Sequence, residues 1–170
     1  MKVLRILAAC AVALVAALAL LWLAQEWQCN EEKVRLEYVA RQMEQHGTIV
    51  AVPAARENMN ATRKCLLVTP GDPDLHLLVK SYALVMGDRE MAAAALRDAL
   101  RFERRPELFL ELGLLEVDMH QREAGVRDLI TACTFYPGIH EDIPYYDVRV
   151  EVFNAVKARQ DASVARGKRP

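Results

Sequence analysis

Lys64-Cys65-Leu66-Leu67-Val68-Thr69-Pro70, Asp98-Ala99-Leu100-Arg101-Phe102-Glu103-Arg104 and Thr131-Ala132-Cys133-Thr134-Phe135-Tyr136-Pro137 are three writings of one short pattern. After the first residue each reads small, apolar, any, apolar, any, and the first and third close on proline. The second copy displaces its proline to Pro106. The step from Cys65 to Ala99 and the step from Ala99 to Ala132 differ by a single position. An apolar pattern at such a near-constant period predicts stacked helical hairpins, because one hairpin cannot bury its own apolar face and needs a neighbour to cover it. Such arrays bind other molecules and rarely catalyse. The expected fold class is therefore all-α.

Outward from the copies, the punctuation marks out the helices. Pro53 opens a helix over about Ala54 to Val68, since proline is tolerated in a first turn. Pro70-Gly71-Asp72-Pro73 is a strong break. A first hairpin follows: Asp74 to Met86, a turn at Gly87-Asp88, then Arg89 to Phe102. The second runs from Pro106 or Glu107 to Met119, turns at His120-Gln121, and returns from Arg122 to Tyr136. Pro137-Gly138 ends it. A last helix over about Pro144 to Gln160 carries Val148, Val152, Phe153 and Val156 on one face, suited to capping the open end of the stack.

These residues resemble the tetratricopeptide repeat family, most closely in the second hairpin. There Leu112-Gly113 falls at the Leu-Gly pair of the first helix, Ala132 at the alanine of the second and Pro137 at the terminal proline. In the first hairpin Ala92, Leu96 and Ala99 match, while Lys80 and Arg104 stand where a small residue and proline are expected. The resemblance spans roughly Ala54 to Gln160 and implies a short helical-hairpin solenoid whose first helices line a concave face. On that face it places Leu77, Ser81 and Leu84 from one hairpin and Leu110, Leu114 and Val117 from the next. This mostly apolar groove is the expected partner-binding site, unless the last helix or the stalk fills it. The Lys, Arg and Asn with which many members hold a peptide C-terminus are missing.

The N-terminus carries a second signal. Ile6 to Ala24 is an uninterrupted run without a charge, long enough to cross a hydrocarbon core as a helix. Lys2 and Arg5 precede it, and Lys33 and Arg35 lie beyond, so the short basic leader favours a cytosolic N-terminus only slightly. Trp22 and Trp27 suit the outer membrane–water interface. The favoured expectation is a retained signal anchor. Cleavage after Ala17-Leu18-Ala19 is the alternative, and it would leave Leu20-Leu21-Trp22-Leu23 as a greasy new N-terminus. Leu7-Ala8-Ala9-Cys10 matches a lipoprotein box, but too few apolar residues precede Cys10. The expected organisation is a leader (1–5), a transmembrane helix (6–24), a juxtamembrane helix and linker (25–53), the repeat domain (54–160) and a basic tail (161–170). Asn30 is expected to N-cap the juxtamembrane helix, Glu31 and Glu32 to favour its dipole, and Gly47 to end it.

Composition bounds the rest. Removing the apolar segment leaves about 145 residues, one domain by size. Apolar residues make up 53% and aromatics 6%, so the core is aliphatic and alanine-rich. A net charge of −1 gives no case for nucleic acid, and the basic stretch from Lys157 to Arg169 reads as a solvated end. The four cysteines, Cys10, Cys29, Cys65 and Cys133, form no CxxC. Cys65 and Cys133 are expected as buried small hydrophobes. Cys29 stands apart, placed to pair with Cys65 or with its counterpart in a second chain.

No constellation carries catalysis. His140-Glu141-Asp142 is not HExxH, and His46, His76 and His120 are scattered, so no metal is expected. There is no glycine-rich phosphate loop and no G-x-S-x-G elbow. Asn60-Ala61-Thr62 is a sequon inside a predicted helix. No cofactor and no enzymatic activity are expected. The reading is a single-pass scaffold or assembly subunit of a cell-envelope complex (secretion, cytochrome maturation or polysaccharide machinery). Its repeat domain faces the periplasm or the cell exterior, and its partners are proteins rather than small molecules. The alternatives are a cleaved, soluble periplasmic adaptor and, from another class, the regulatory subunit of an envelope enzyme.

Overall fold

A computed structural model describes residues 2–46 and 52–167. It is all-helical, and there is no strand among the described residues. Gly47, the expected helix stop, and the stretch from Thr48 lie outside the described residues, as does the end of the basic tail. The chain divides into two compact units, Met1–Met86 and Gly87–Pro170.

The first unit holds α1 (Lys2–His46), α2 (Val52–Val68) and α3 (Pro73–Val85). α1 is one helix of 45 residues, about 68 Å at 1.5 Å per residue. This corrects the expected separate juxtamembrane helix: Asn30 lies mid-helix and caps nothing. The reason is that residues 1–46 contain neither proline nor glycine, so nothing stops the helix that the apolar run begins. Through its apolar stretch, Cys10 to Gln25, α1 is exposed along its whole circumference. It is long and apolar enough to cross a membrane.

Beyond that stretch α1 becomes part of a core. Leu36 and Ala40, one helical turn apart on one face, are buried against α2 and α3. α2 contributes Ala55, Met59, Thr62 and Cys65 at helical spacing. α3 contributes Leu75, Leu78, Val79, Tyr82 and Ala83. Two polar links join α1 to α3. The fully buried Tyr82 donates its hydroxyl hydrogen to the carbonyl of Leu36 at 2.9 Å. Lys33 Nζ donates to both carboxylate oxygens of Asp72, at 3.0 and 2.8 Å, and to Asp74 at 2.9 Å. Asp72 is also the N-cap of α3, accepting from the amides of Asp74 and Leu75. Lys33 therefore grips the turn that starts α3.

The second unit holds α4 (Arg89–Phe102), α5 (Pro106–Asp118), α6 (Arg122–Phe135), a 3₁₀ segment (Pro137–Asp142) and α7 (Tyr146–Gly167). Asp88 caps α4 by accepting from the Met91 amide at 2.9 Å. α5 and α6 form the tightest hairpin. A Cβ on Gly113 would stand 2.7 Å from Leu129 Cγ and 2.8 Å from the Gly125 carbonyl oxygen. A Cβ on Gly125 would stand 2.6 Å from the Gly113 carbonyl oxygen and 2.7 Å from Val117 Cγ2. The two glycines let the backbones touch. Near the other end of the hairpin Phe109 and Phe135 stack at 5.9 Å.

Ala99 and Ala132, the small residues of the repeated pattern, are both fully buried. Val148 and Val152 of α7 join α6 and the 3₁₀ segment in one cluster with Leu129, Ile139 and Ile143. Phe153, expected on the same face, is half exposed and stands against the His140 ring at 5.9 Å. The 3₁₀ segment has no counterpart among the expected elements. Ile139 and Ile143 bury themselves from a stretch that Pro137-Gly138 marks only as a break.

Candidate functional site

The six groove residues are placed unit by unit. On α3, Leu77 and Ser81 line a cavity of about 260 Å³ whose opposite wall is α1, through Glu37, Ala40 and Arg41. Ser81 and Leu84 line a second, of about 220 Å³, with Ala40 and Met43 of α1. These three side chains thus edge a furrow between α3 and the stalk portion of α1. The stalk occupies one flank of the expected groove, and Leu84, at 44% exposed, faces outward most.

On α5, Leu110, Leu114 and Val117 are half-buried. All three pack against the cluster of α6, the 3₁₀ segment and α7. They act partly as core, because the close α5–α6 crossing draws that face of α5 inward. The exposed apolar surface lies elsewhere: Leu67 of α2 is 85% exposed, and Phe102, Phe135, Tyr136 and Tyr146 of the second unit are also open.

The polar groups of the second unit include one buried carboxylate. Glu116 is 2% exposed and accepts from Arg97 Nη2 at 2.6 Å, so α4 and α5 are joined by an ion pair with one end in the core. Its second oxygen, Oε2, is buried with no hydrogen-bond donor among the described residues. Asp128 of α6 supplies the explanation. Burial pushes the Asp128 carboxyl up to about 6, and the charge of Glu116 and a hydrogen bond to it add to the rise, against Arg127 and Arg97. A proton on Asp128 is the donor that the buried Glu116 carboxylate calls for. In sequence, Glu116 reads as an ordinary surface carboxylate. Nothing local distinguishes it, since its burial comes from the approach of α4 and α6.

A further cavity, about 310 Å³ and mostly apolar, lies between α6, the 3₁₀ segment and α7. Cys133, Pro137, Phe153 and Val156 form its apolar lining, with His140, Lys157 and Gln160 also on its wall. His140 Nδ1 is hydrogen-bonded to the Pro137 carbonyl at 2.8 Å, which requires the proton on Nδ1 and leaves Nε2 as the second nitrogen. Sequence reasoning misses this cavity because it needs the unforeseen 3₁₀ segment. Phe153, which helical spacing groups with Val148 and Val152, is instead half exposed on the wall of this cavity.

Among the described residues no three His, Cys, Asp or Glu side chains gather as a metal-binding set. Comparison with family models, curated proteins and solved structures gives no match to this chain.

Proposed function

We propose that this protein is a membrane-anchored helical-repeat scaffold of tetratricopeptide type, which holds a protein partner within a cell-envelope assembly. The observation that carries the reading is the continuity of α1. One helix bears the apolar, all-round exposed stretch and then, without a break, the residues that nucleate the first unit: Lys33, Leu36 and Ala40. An anchor joined in this way fixes the orientation of its unit at the membrane surface, as a scaffold requires and a flexible tether would not supply. The repeat reading is supported by the recurrence of helix starts and buried alanines at one constant interval. Pro73 and Pro106 start α3 and α5, Arg89 and Arg122 start α4 and α6, and Ala99 and Ala132 are buried in α4 and α6.

In this reading Lys2 and Arg5 stay in the cytosol and both units face the periplasm. The partner lies along the α1–α3 furrow, reaching Leu77, Ser81 and Leu84. The test has two parts. Reporter fusions after Gln45 are active outside the cytosol and the chain resists carbonate extraction; activity confined to the cytosol overturns the orientation. A photo-crosslinking residue at position 84 gives one discrete adduct in cells, while the same group at exposed Arg56 on α2 gives none. Equal or absent labelling at the two positions overturns the furrow as the binding face.

A further inference from the structure

Cys29 of α1 and Cys65 of α2 lie far apart in the chain and meet where the two helices pack. Cys65 is 3% exposed and Cys29 is half-buried. The Cys65 thiol donates to the carbonyl oxygen of Cys29 at 3.8 Å, a weak contact that sets its sulfur beside the other cysteine's main chain. Burial pushes the Cys65 thiol up to about 12, and the neighbouring Cys29 side chain adds to the rise. A disulfide needs Cα atoms about 4.4–6.8 Å apart and side chains that point together. The Cys65 sulfur at the Cys29 carbonyl places the two residues side by side where α1 and α2 pack. Cys133 is buried in the other unit and Cys10 sits in the apolar stretch of α1, so neither competes.

We infer that Cys29 and Cys65 are a disulfide-forming pair whose closure staples α2 to the membrane-borne helix. The inference rests on the envelope-facing orientation for its oxidant, a small-molecule or protein disulfide. Exposure sets the order of events. The half-buried Cys29 loses its proton and attacks one sulfur of the oxidant; a mixed disulfide forms and one half leaves as a thiolate. Cys65 then loses its proton and attacks the Cys29 sulfur, which breaks the mixed disulfide and expels the other half. Two electrons pass to the oxidant and the two protons to its two thiolates.

The test uses the full chain in detergent micelles, equilibrated with oxidised glutathione. Proteolysis without reductant, followed by mass spectrometry, should yield one cross-linked species joining the Cys29 and Cys65 peptides, two hydrogen masses below their sum. Cys29→Ser and Cys65→Ser should each abolish it. Persistence of an alkylatable Cys65 thiol after full oxidation overturns the pair, as does a cross-link that joins Cys29 to Cys29 of a second copy. A pair that closes with glutathione but is wholly reduced in acid-quenched cells overturns the envelope-side orientation and leaves the pairing intact.

Discussion

At Gly113 and Gly125 a single missing Cβ decides how closely two helices approach. In an exposed helix, glycine to alanine gains about 1 kcal/mol of helix propensity. Here the added carbon at Gly125 would meet the Gly113 carbonyl oxygen at 2.6 Å, and a backbone atom cannot swing aside as a side chain can. Gly125→Ala and Gly113→Ala should therefore each lower stability by about 1–3 kcal/mol, the cost of overpacking. Thermal melts check this, with Gly138→Ala as the control. Its Cβ would come no closer than 3.4 Å to a neighbour, the Tyr136 side chain, and the melt should shift by less than about 0.5 kcal/mol. Gly113 is legible in sequence because a Leu-Gly pair stands where a hairpin crossing is expected. Gly125 is not, because a crossing has two sides and the chain names the second only once the hairpin's register is known. The opposite case is His120, whose φ of 62° places an L side chain in the left-handed region. Gly87 holds the same place after α3, at a φ of 75°. His120→Gly should relieve that conformation and raise stability by up to about 1 kcal/mol, read from the same melts.

Helices α4, α5 and α6 meet at a charge arrangement that makes the second unit sensitive to pH. Asp128 titrates near 6 in the folded protein, against an ordinary 3.8. The native state therefore binds this proton more tightly than the unfolded chain. The resulting stabilisation is complete below pH 3.8 and is lost as pH rises through about 6. The rise from 3.8 to about 6 corresponds to about 3 kcal/mol. Asp128 is partly open to solvent, so screening reduces this to on the order of 1–2 kcal/mol. Asp128→Asn supplies a permanent N–H donor toward Glu116 Oε2 and should remove that increment of pH dependence. Denaturant titrations at pH 5 and pH 7, compared between wild type and variant, check the difference of slopes. Most helix boundaries are legible in sequence, since Pro73, Gly87-Asp88, Pro106 and Pro137 punctuate them. The groove is less so. Helical spacing places Leu110, Leu114 and Val117 on one face of α5, but not whether a neighbour's cluster has claimed it. The 3₁₀ segment is illegible because Ile139 and Ile143 follow no helical period.

On the scale of the whole chain, the apolar stretch of α1 and the first unit cannot be separated at the point where composition changes. The apolar run ends at Ala24, and a stalk independent of the repeats would allow removal of everything before Ala54. Against this, Leu36 is fully buried, Tyr82 spends its hydroxyl on the Leu36 carbonyl, and Lys33 holds the cap of α3. Removing that part of α1 would uncover Tyr82, Leu78 and Met59 and leave the Tyr82 hydroxyl without its partner. A chain that begins at Gln25 should keep its melting midpoint, because Cys10 to Gln25 is exposed all round. A chain that begins at Val39 should lose the first unit's transition while the second, with its own cluster from Val126 to Val152, retains its helicity. Leu36→Ala, a milder form of the same cut, should cost about 2–5 kcal/mol. Circular dichroism melts, with limited proteolysis to locate the opened segment, distinguish the cases. Equal melts for the chains starting at Gln25 and Val39 would make α1 a tether, and the proposed rigid presentation of the first unit at a membrane surface would lose its physical basis.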